Sequence, residues 1–214
     1  MTLVYERDPA RIYAESFATI EREAALDHLS PQDRPLAIRL IHACGMVEVA
    51  NDLLITDGAM AAGQNALAQG RPIFCDAEMV AHGIIRRRLP AAVQVRVTLN
   101  DPDTPTRAET MGTTRSAAAV EAWVPDLKGG IVAIGNAPTA LFHLLDGLTN
   151  RGWPKPALIL GFPVGFVGAA ESKAALTDLP HGVPHATLPG RRGGSAMAAA
   201  AVNALSLGLN GDGT

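Results

Sequence analysis

Histidine titrates near neutral pH and can give or take a proton without extreme tuning, and His42, inside the run IRLIHACG, is the best single candidate for proton transfer. The same position also suits a hydrogen-bonded residue at a helix end. His28, His82, His143, His181 and His185 show neither HExxH nor HxH spacing, so no dedicated metal site is expected. Cys44 and Cys75 are too few for a disulfide scaffold or a thiolate metal site. On neighbouring loops they would suit an opposed acid and base, as in cofactor-independent racemases, although a cysteine at a strand end serves equally as a small buried hydrophobe. Arg86, Arg87, Arg88, Arg96, Arg115, Arg191 and Arg192 fall near expected element ends or loops. Arginine suits bidentate recognition of carboxylates, and several beside helix starts would line an anion pocket, although each singly suits a solvated face. With a formal net charge of -3 and no continuous basic stripe, a polycarboxylate fits better than nucleic acid.

Positioning these groups falls to a repeated strand, crossing and helix. Its clearest copy is Ile131 to Leu148, where an apolar run closes on Gly135, turns through Asn136, Ala137 and Pro138, and opens into helical spacing. Further strands are expected at Pro72 to Cys75, Val93 to Val97, Pro156 to Gly161 and Val183 to Leu188. Helices are expected over residues 9 to 26, from Pro31 to Cys44, and from Gly58 to Leu67. Others should run from Thr106 to Val124, from Ala169 to Leu179 and from Ala196 to Ser206. Asn51 to Ile55 reads as strand-like or irregular. The pattern implies a three-layer α/β fold: a mostly parallel, Rossmann-like sheet with helices on both faces and a helical N-terminal region, residues 9 to 45, packed on the core. The glycine-rich tips at Gly135 to Pro138, Gly161 to Gly168 and Gly190 to Ser195 should cluster at the carboxyl edge, although GFPVGFVG matches neither the dinucleotide fingerprint nor a P-loop.

A chain of 214 residues with 48% hydrophobic, 21 glycine and 15 proline residues suits one domain spanning 1 to 214, with a disordered tail at 210 to 214. The N-terminus lacks a signal-peptide core, and Ala196 to Leu205 is too short to span a bilayer, so a soluble cytoplasmic protein without a membrane partner is expected.

In order along the chain, RLIHACGMVE, PIFCDAEMVAHG, TRSAAA, VAIGNAPTALF, ILGFPVGFVGAAESK and GRRGGSAM resemble the precorrin-8X methylmutase (precorrin isomerase) family of the aerobic cobalamin pathway. The resemblance covers Ile12 to Leu205. It implies an isomerase that moves a methyl group of precorrin-8X from C11 to C12 to give hydrogenobyrinic acid, without cofactor or metal. By the same resemblance His42 is the general acid. Arg115 is the foremost contact for a peripheral carboxylate, with Thr114, Ser116, Asn136, Ser172, Lys173, Gly193 and Gly194 as further substrate-binding residues; Arg86 joins them from the arginine run, as a carboxylate contact. It also implies a homodimer with the active site near the interface, and handover of product to the next pathway enzyme. HACGMVE and CDAEMVAHG look closer to the metal-free branch than to relatives acting on the cobalt-containing intermediate. A non-catalytic corrinoid-binding or handover protein is the other reading, and a two-cysteine racemase is a remote one.

Overall fold

The computed structural model describes residues 3 to 207, so the expected tail at 210 to 214 lies outside the described residues. Six strands among them form one sheet: β1 (Leu54–Ile55), β2 (Ile73–Cys75), β3 (Val95–Val97), β4 (Ile131–Ile134), β5 (Leu158–Gly161) and β6 (His185–Thr187). Their order is β1-β6-β5-β4-β2-β3, and every neighbouring pair is parallel except β1 against β6. Parallel strands need crossovers that cover both faces, which is why β2, β4 and β5 are continuous buried apolar runs rather than alternating ones.

Side chains on a strand alternate between faces, and here the alternation divides the core in two. Ile73, Cys75, Ile131, Ala133, Leu158 and Leu160 join one hydrophobic cluster, whereas Phe74, Val132, Ile134 and Ile159 join the other. The first is covered by α1 (Pro9–Glu23), α2 (Arg34–Cys44), α3 (Val49–Asp52), α4 (Ala59–Ala68), α5 (Glu78–Gly83) and α10 (Ser195–Leu205). The second is covered by α7 (Arg115–Val120), α8 (Pro138–Asn150) and α9 (Ala169–Asp178), following α6 (Thr104–Met111) in the chain where α7 begins. The expected α/β architecture and its helical N-terminal region are therefore present.

Several boundaries differ from expectation. The helix expected from Thr106 to Val124 is two, because Gly112 adopts a left-handed φ of 61° that ends α6. Thr114 is then extended and caps α7, its hydroxyl accepting from the Ala117 N–H at 3.2 Å. The second helix begins at Arg34 rather than Pro31, with Asp33 as N-cap and Pro35 in the first turn. Asn51 to Ile55 divides between the end of α3 and the short antiparallel β1. Among the described residues no helix is long and apolar enough to cross a membrane.

α10 runs through the middle of one layer and is buried from Met197 to Leu205. Small alanine side chains let it lie close to the sheet and to α2 at once, and a loss of volume control there would be felt directly in packing. Its N-terminus is at the carboxyl edge of the sheet and its flank reaches α2, so it physically links the two regions described next.

Candidate active site

The winding of the sheet reverses between β2 and β4, because β3 lies on one flank of β2 and β4 on the other. In doubly wound folds the crevice outside such a reversal receives the ligand. Here the chain fills it with its own carboxylate. Asp76, directly after β2 and 2% exposed, accepts the N–H groups of Gly135 (2.9 Å), Asn136 (2.9 Å) and Ala137 (2.7 Å). These are the amides before α8 that would otherwise greet an incoming anion. Burial pushes the Asp76 carboxyl above its ordinary range, against the opposing pull of the three N–H bonds.

The other tips close around this staple. A Cβ on Gly135 would fall 2.7 Å from Ser195 Cα and 2.9 Å from the Gly194 carbonyl oxygen. One on Gly193 would meet the Phe162 carbonyl oxygen at 2.3 Å, so only glycine permits this approach of the β6–α10 loop to β5. Gly194 donates its N–H to the same carbonyl at 2.8 Å. The three tips thus cluster at the carboxyl edge as their strands require.

His42 lies on the layer's outer side, near the C-terminal end of α2, where α1 crosses it. Ser16 Oγ is 2.9 Å from His42 Nδ1, and the rings of Tyr13 and Phe17 are 5.2 and 5.0 Å from the imidazole. Tyr13 and Phe17 are four residues apart and therefore share a face of α1. Arg39 is three residues before His42 on α2; it is buried, donates to the Tyr13 hydroxyl at 2.7 Å and stacks over the Phe17 ring at 4.8 Å. Partial burial, and then the positive charge of Arg39, hold the His42 pKa below its ordinary value. With Nδ1 engaged by Ser16, Nε2 is the nitrogen left to exchange a proton with a bound molecule. A neutralised neighbour would not be needed for such transfer: a lower pKa makes the imidazolium a stronger acid, at the expense of its population.

Ser16 and His42 themselves line an open cavity of about 510 Å³ between α1 and the end of α2, and two more cavities lie on the Tyr13 side. A smaller one of about 200 Å³ is bounded by His42, Arg39 and Tyr13 on one side and by Ala196, Ala199 and Asn203 of α10 on the other. A larger one of about 980 Å³ runs under α1, between Ala10, Tyr13 and Phe17 and the segment Ile85 to Arg88. Tyr13 and Ile85 line both, so they form the partition between an apolar groove edged with arginine and the His42 imidazole. That combination suits a large, mainly apolar molecule carrying acid groups.

Of the residues expected from the sequence, His42 and Arg86 are brought to this region. Gly193 and Gly194 lie at the carboxyl edge, where Gly194 is the N-cap of α10, two residues before the cavity-lining Ala196. Asn136 is exposed at the same edge. Thr114 meets Thr139, in the first turn of α8, with 2.8 Å between hydroxyl oxygens, and Arg115 and Ser116 follow it at the start of α7. None of these three lines the cavities beside His42. Ser172 is fully buried and donates to the Ala169 carbonyl at 3.1 Å. Lys173 is also buried; its Nζ donates to the Arg192 carbonyl at 2.6 Å, tying α9 to the glycine-rich loop, and burial followed by the charge of Arg192 lowers its pKa to about 8. Arg192 itself pairs with Asp52.

Tyr13, Ser16, Phe17, Arg39, Asp76 and Asn203 were not expected. The four-residue spacing of Tyr13 and Phe17 marks a shared face, and Asp76 is a lone acid closing an apolar strand. Neither signal says what the residue meets. The thiols do not form an exposed pair: Cys75 is buried, and burial raises its pKa far above the thiol range, while burial also raises that of the partly buried Cys44. Among the described residues no group of three or more His, Cys, Asp or Glu is placed to hold a metal ion.

A family profile described as Precorrin-8X methylmutase matches residues 11–207. A Pseudomonas aeruginosa protein named Precorrin-8X methylmutase is 59% identical, over 94% of this chain and 97% of its own. One of the same name from Sinorhizobium sp. is 54% identical over 94% and 96%. A Priestia megaterium protein named Cobalt-precorrin-8 methylmutase is 36% identical over 93% and 88%. Among solved structures, the precorrin-8x methyl mutase of Thermus thermophilus superposes with a TM-score of 0.84 at 38% identity, covering 92% of this chain and 94% of that one.

Proposed function

The chain belongs to the precorrin-8X methylmutase family, and from that premise we propose that it converts metal-free precorrin-8X into hydrogenobyrinic acid by moving the methyl group on C11 to C12. The observation that carries the reading is the setting of His42: an imidazole oriented by Ser16, flanked by aromatic rings, on the wall of a cavity that adjoins an arginine-edged groove. The metal-free substrate is supported by the higher identity to relatives named for it than to those named for the cobalt form.

In this reading His42 donates its Nε2 proton to the conjugated macrocycle in the ring C region. Protonation withdraws electron density from the conjugated system and lowers the barrier to a 1,5-sigmatropic shift. The bond from C11 to the methyl breaks as the bond to C12 forms. Loss of a proton then completes the product chromophore, and its return to His42 leaves the balance of atoms unchanged. Donation requires His42 within roughly 3 Å of the accepting atom. Tyr13 and Phe17 offer flat apolar surface to the ring system, and Arg86, on the groove wall, meets acid groups on its rim. Holding the macrocycle so that the methyl lies over its acceptor carbon reduces the barrier further.

A second copy completes the reading. A flat macrocycle is too broad for one crevice, and the groove under α1 suits enclosure by a homodimer with the site near its interface. Slow release would favour handover of product to the next enzyme. The test is absorption spectroscopy of the purified protein mixed with metal-free precorrin-8X. A shift to the hydrogenobyrinic acid chromophore is expected; a substrate spectrum that persists indefinitely would overturn catalysis and leave a binding or handover role. Faster conversion of cobalt-precorrin-8 would overturn the metal-free assignment.

A further inference from the structure

Asn203 is the polar residue in a helix face otherwise built from alanine. It is 8% exposed, it lines the cavity beside His42, and both ends of its carboxamide are used. Oδ1 accepts the Ile85 N–H at 2.8 Å, and Nδ2 donates to the Gly83 carbonyl at 3.0 Å. The segment Gly83 to Ile85 leaves α5 and is paired with no strand among the described residues. The side-chain amide therefore acts as a neighbouring strand would, satisfying one donor and one acceptor of a strap two residues apart.

The strap is also held close. A Cβ on Gly83 would fall 2.6 Å from Ala199 Cβ, one turn before Asn203 on α10, so the backbone lies directly on the helix. From Ile85 the chain passes into the tight turn Arg86–Arg88, closed by the Arg88 N–H to the Ile85 carbonyl at 3.0 Å and the Leu89 N–H to the Arg86 carbonyl at 3.0 Å. Ile85 stands in the partition between the two cavities, and Arg86 follows it on the groove wall. Little freedom separates the Asn203 carboxamide from the start of the arginine turn.

We propose that Asn203 is a positioning residue for substrate binding: its carboxamide fixes the Gly83 to Ile85 strap on α10 and thereby aims Arg86 at an acid group on the rim of the bound macrocycle. The inference rests on the reading of the substrate as an acid-bearing corrinoid. It adds to that reading a residue in the cavity beside His42 that acts through Arg86, on the far side of the partition. The chemistry served is carboxylate recognition, and the proton transfer at His42 is left to Ser16 and its own surroundings.

The experiment is a double-mutant cycle on the full chain, with hydrogenobyrinic acid as probe and affinity read by absorbance titration at several ionic strengths. Arg86→Ala should weaken wild-type binding about tenfold and flatten its salt dependence, as expected for loss of a charge-assisted contact. Asn203→Ala should weaken binding about as much, flatten the salt dependence likewise, and raise KM with kcat at saturation within about threefold. In the Asn203→Ala background, the added Arg86→Ala change should cost less than about twofold, because the arginine is already misplaced. Asn203→Asp keeps the acceptor for Ile85 and loses the donor to Gly83; it should fold and fall between the two, which keeps the test open if the alanine variant does not fold. Wild-type salt dependence in a folded Asn203 variant, or full additivity with Arg86→Ala, would overturn the inference while the substrate reading stands. Failure of the wild-type chain to bind hydrogenobyrinic acid would overturn both.

Discussion

The reversal of the sheet between β2 and β4 and the helical cover around His42 treat polar groups in opposite ways. At the reversal, an acid and three amides satisfy one another internally, and Asp76 is 2% exposed. Around His42, a histidine and an arginine are arranged among aromatic rings beside open cavities. A fully satisfied buried group is fixed in place and chemically quiet; a group held on one side only can still react on the other. The difference teaches that the usual ligand crevice of this fold class can become part of the scaffold, leaving the helices laid on the sheet as the place the proposed mechanism assigns to the chemistry.

The sharpest test of the contrast is His42→Ala, which should lower turnover by about 10² to 10⁴. The variant should remain folded and still hold the corrinoid, as judged by circular dichroism and absorbance titration. Wild-type turnover would move the acid elsewhere. Asp76→Ala comes next and should behave in the reverse way, costing about 3 kcal/mol or more in urea unfolding because buried N–H groups lose their acceptor. Asp76→Asn should fall between, since one carbonyl oxygen replaces two. Stability unchanged in the alanine variant would remove the staple from the scaffold.

Ser16→Ala should reduce kcat by about tenfold while leaving unfolding free energy nearly unchanged, since it frees the imidazole to turn and removes no core volume. Equal losses in KM and kcat would instead assign Ser16 to substrate contact. The pH profile sharpens the same region. In the proposed mechanism the acid form of His42 is the active one, and burial together with Arg39 favours its neutral form. Activity should therefore fall as pH rises through a value below the ordinary 6.5 of histidine, and Arg39→Met should move that limb upward. A limb that does not respond would separate Arg39 from the acid.

The smallest effect is expected away from both regions. Burial raises the Glu121 pKa, but bonds from Arg151 at 2.6 Å and His143 at 2.8 Å outweigh it and leave the carboxyl below its ordinary value. Its contribution to stability is present above the unfolded carboxylate pKa and is lost as pH falls through the lower folded one. Glu121→Gln should cost about 0.5 to 1 kcal/mol at pH 7 and lessen the loss of stability on acidification, with turnover unaffected. A change in activity there would break the assignment of chemistry to the His42 side.

The organisation of the fold was legible because it depends on local signals. Apolar runs at Ile131, Pro156 and Pro72 mark strands, Pro138 and Gly135 punctuate the crossing, and the repetition of that pattern requires a covered parallel sheet. Boundaries were less legible where two signals compete: the apolar spacing of residues 106 to 124 reads as one helix, yet the backbone at Gly112 and the cap at Thr114 divide it. Residue type left His42 equally suited to proton transfer and to a helix end, and the family resemblance of its segment is what proposes it as the acid. The partners of His42 were not legible, since Ser16 and Tyr13 lie 26 and 29 residues away and no periodicity reports which helix α1 crosses.

What the sequence by itself determined is therefore the alternation of strand and helix, the small-residue character of α10 and the family. These follow from side-chain volume, backbone preference and residue chemistry, which act over a few positions. Only the tertiary structure decided that Asp76 fills the crevice, that Arg39 and Ser16 flank His42, and that Asn203 holds the strap before Arg86. Each of those relations joins segments far apart in the chain, and it exists only once packing has brought a donor and an acceptor within about 3 Å of each other.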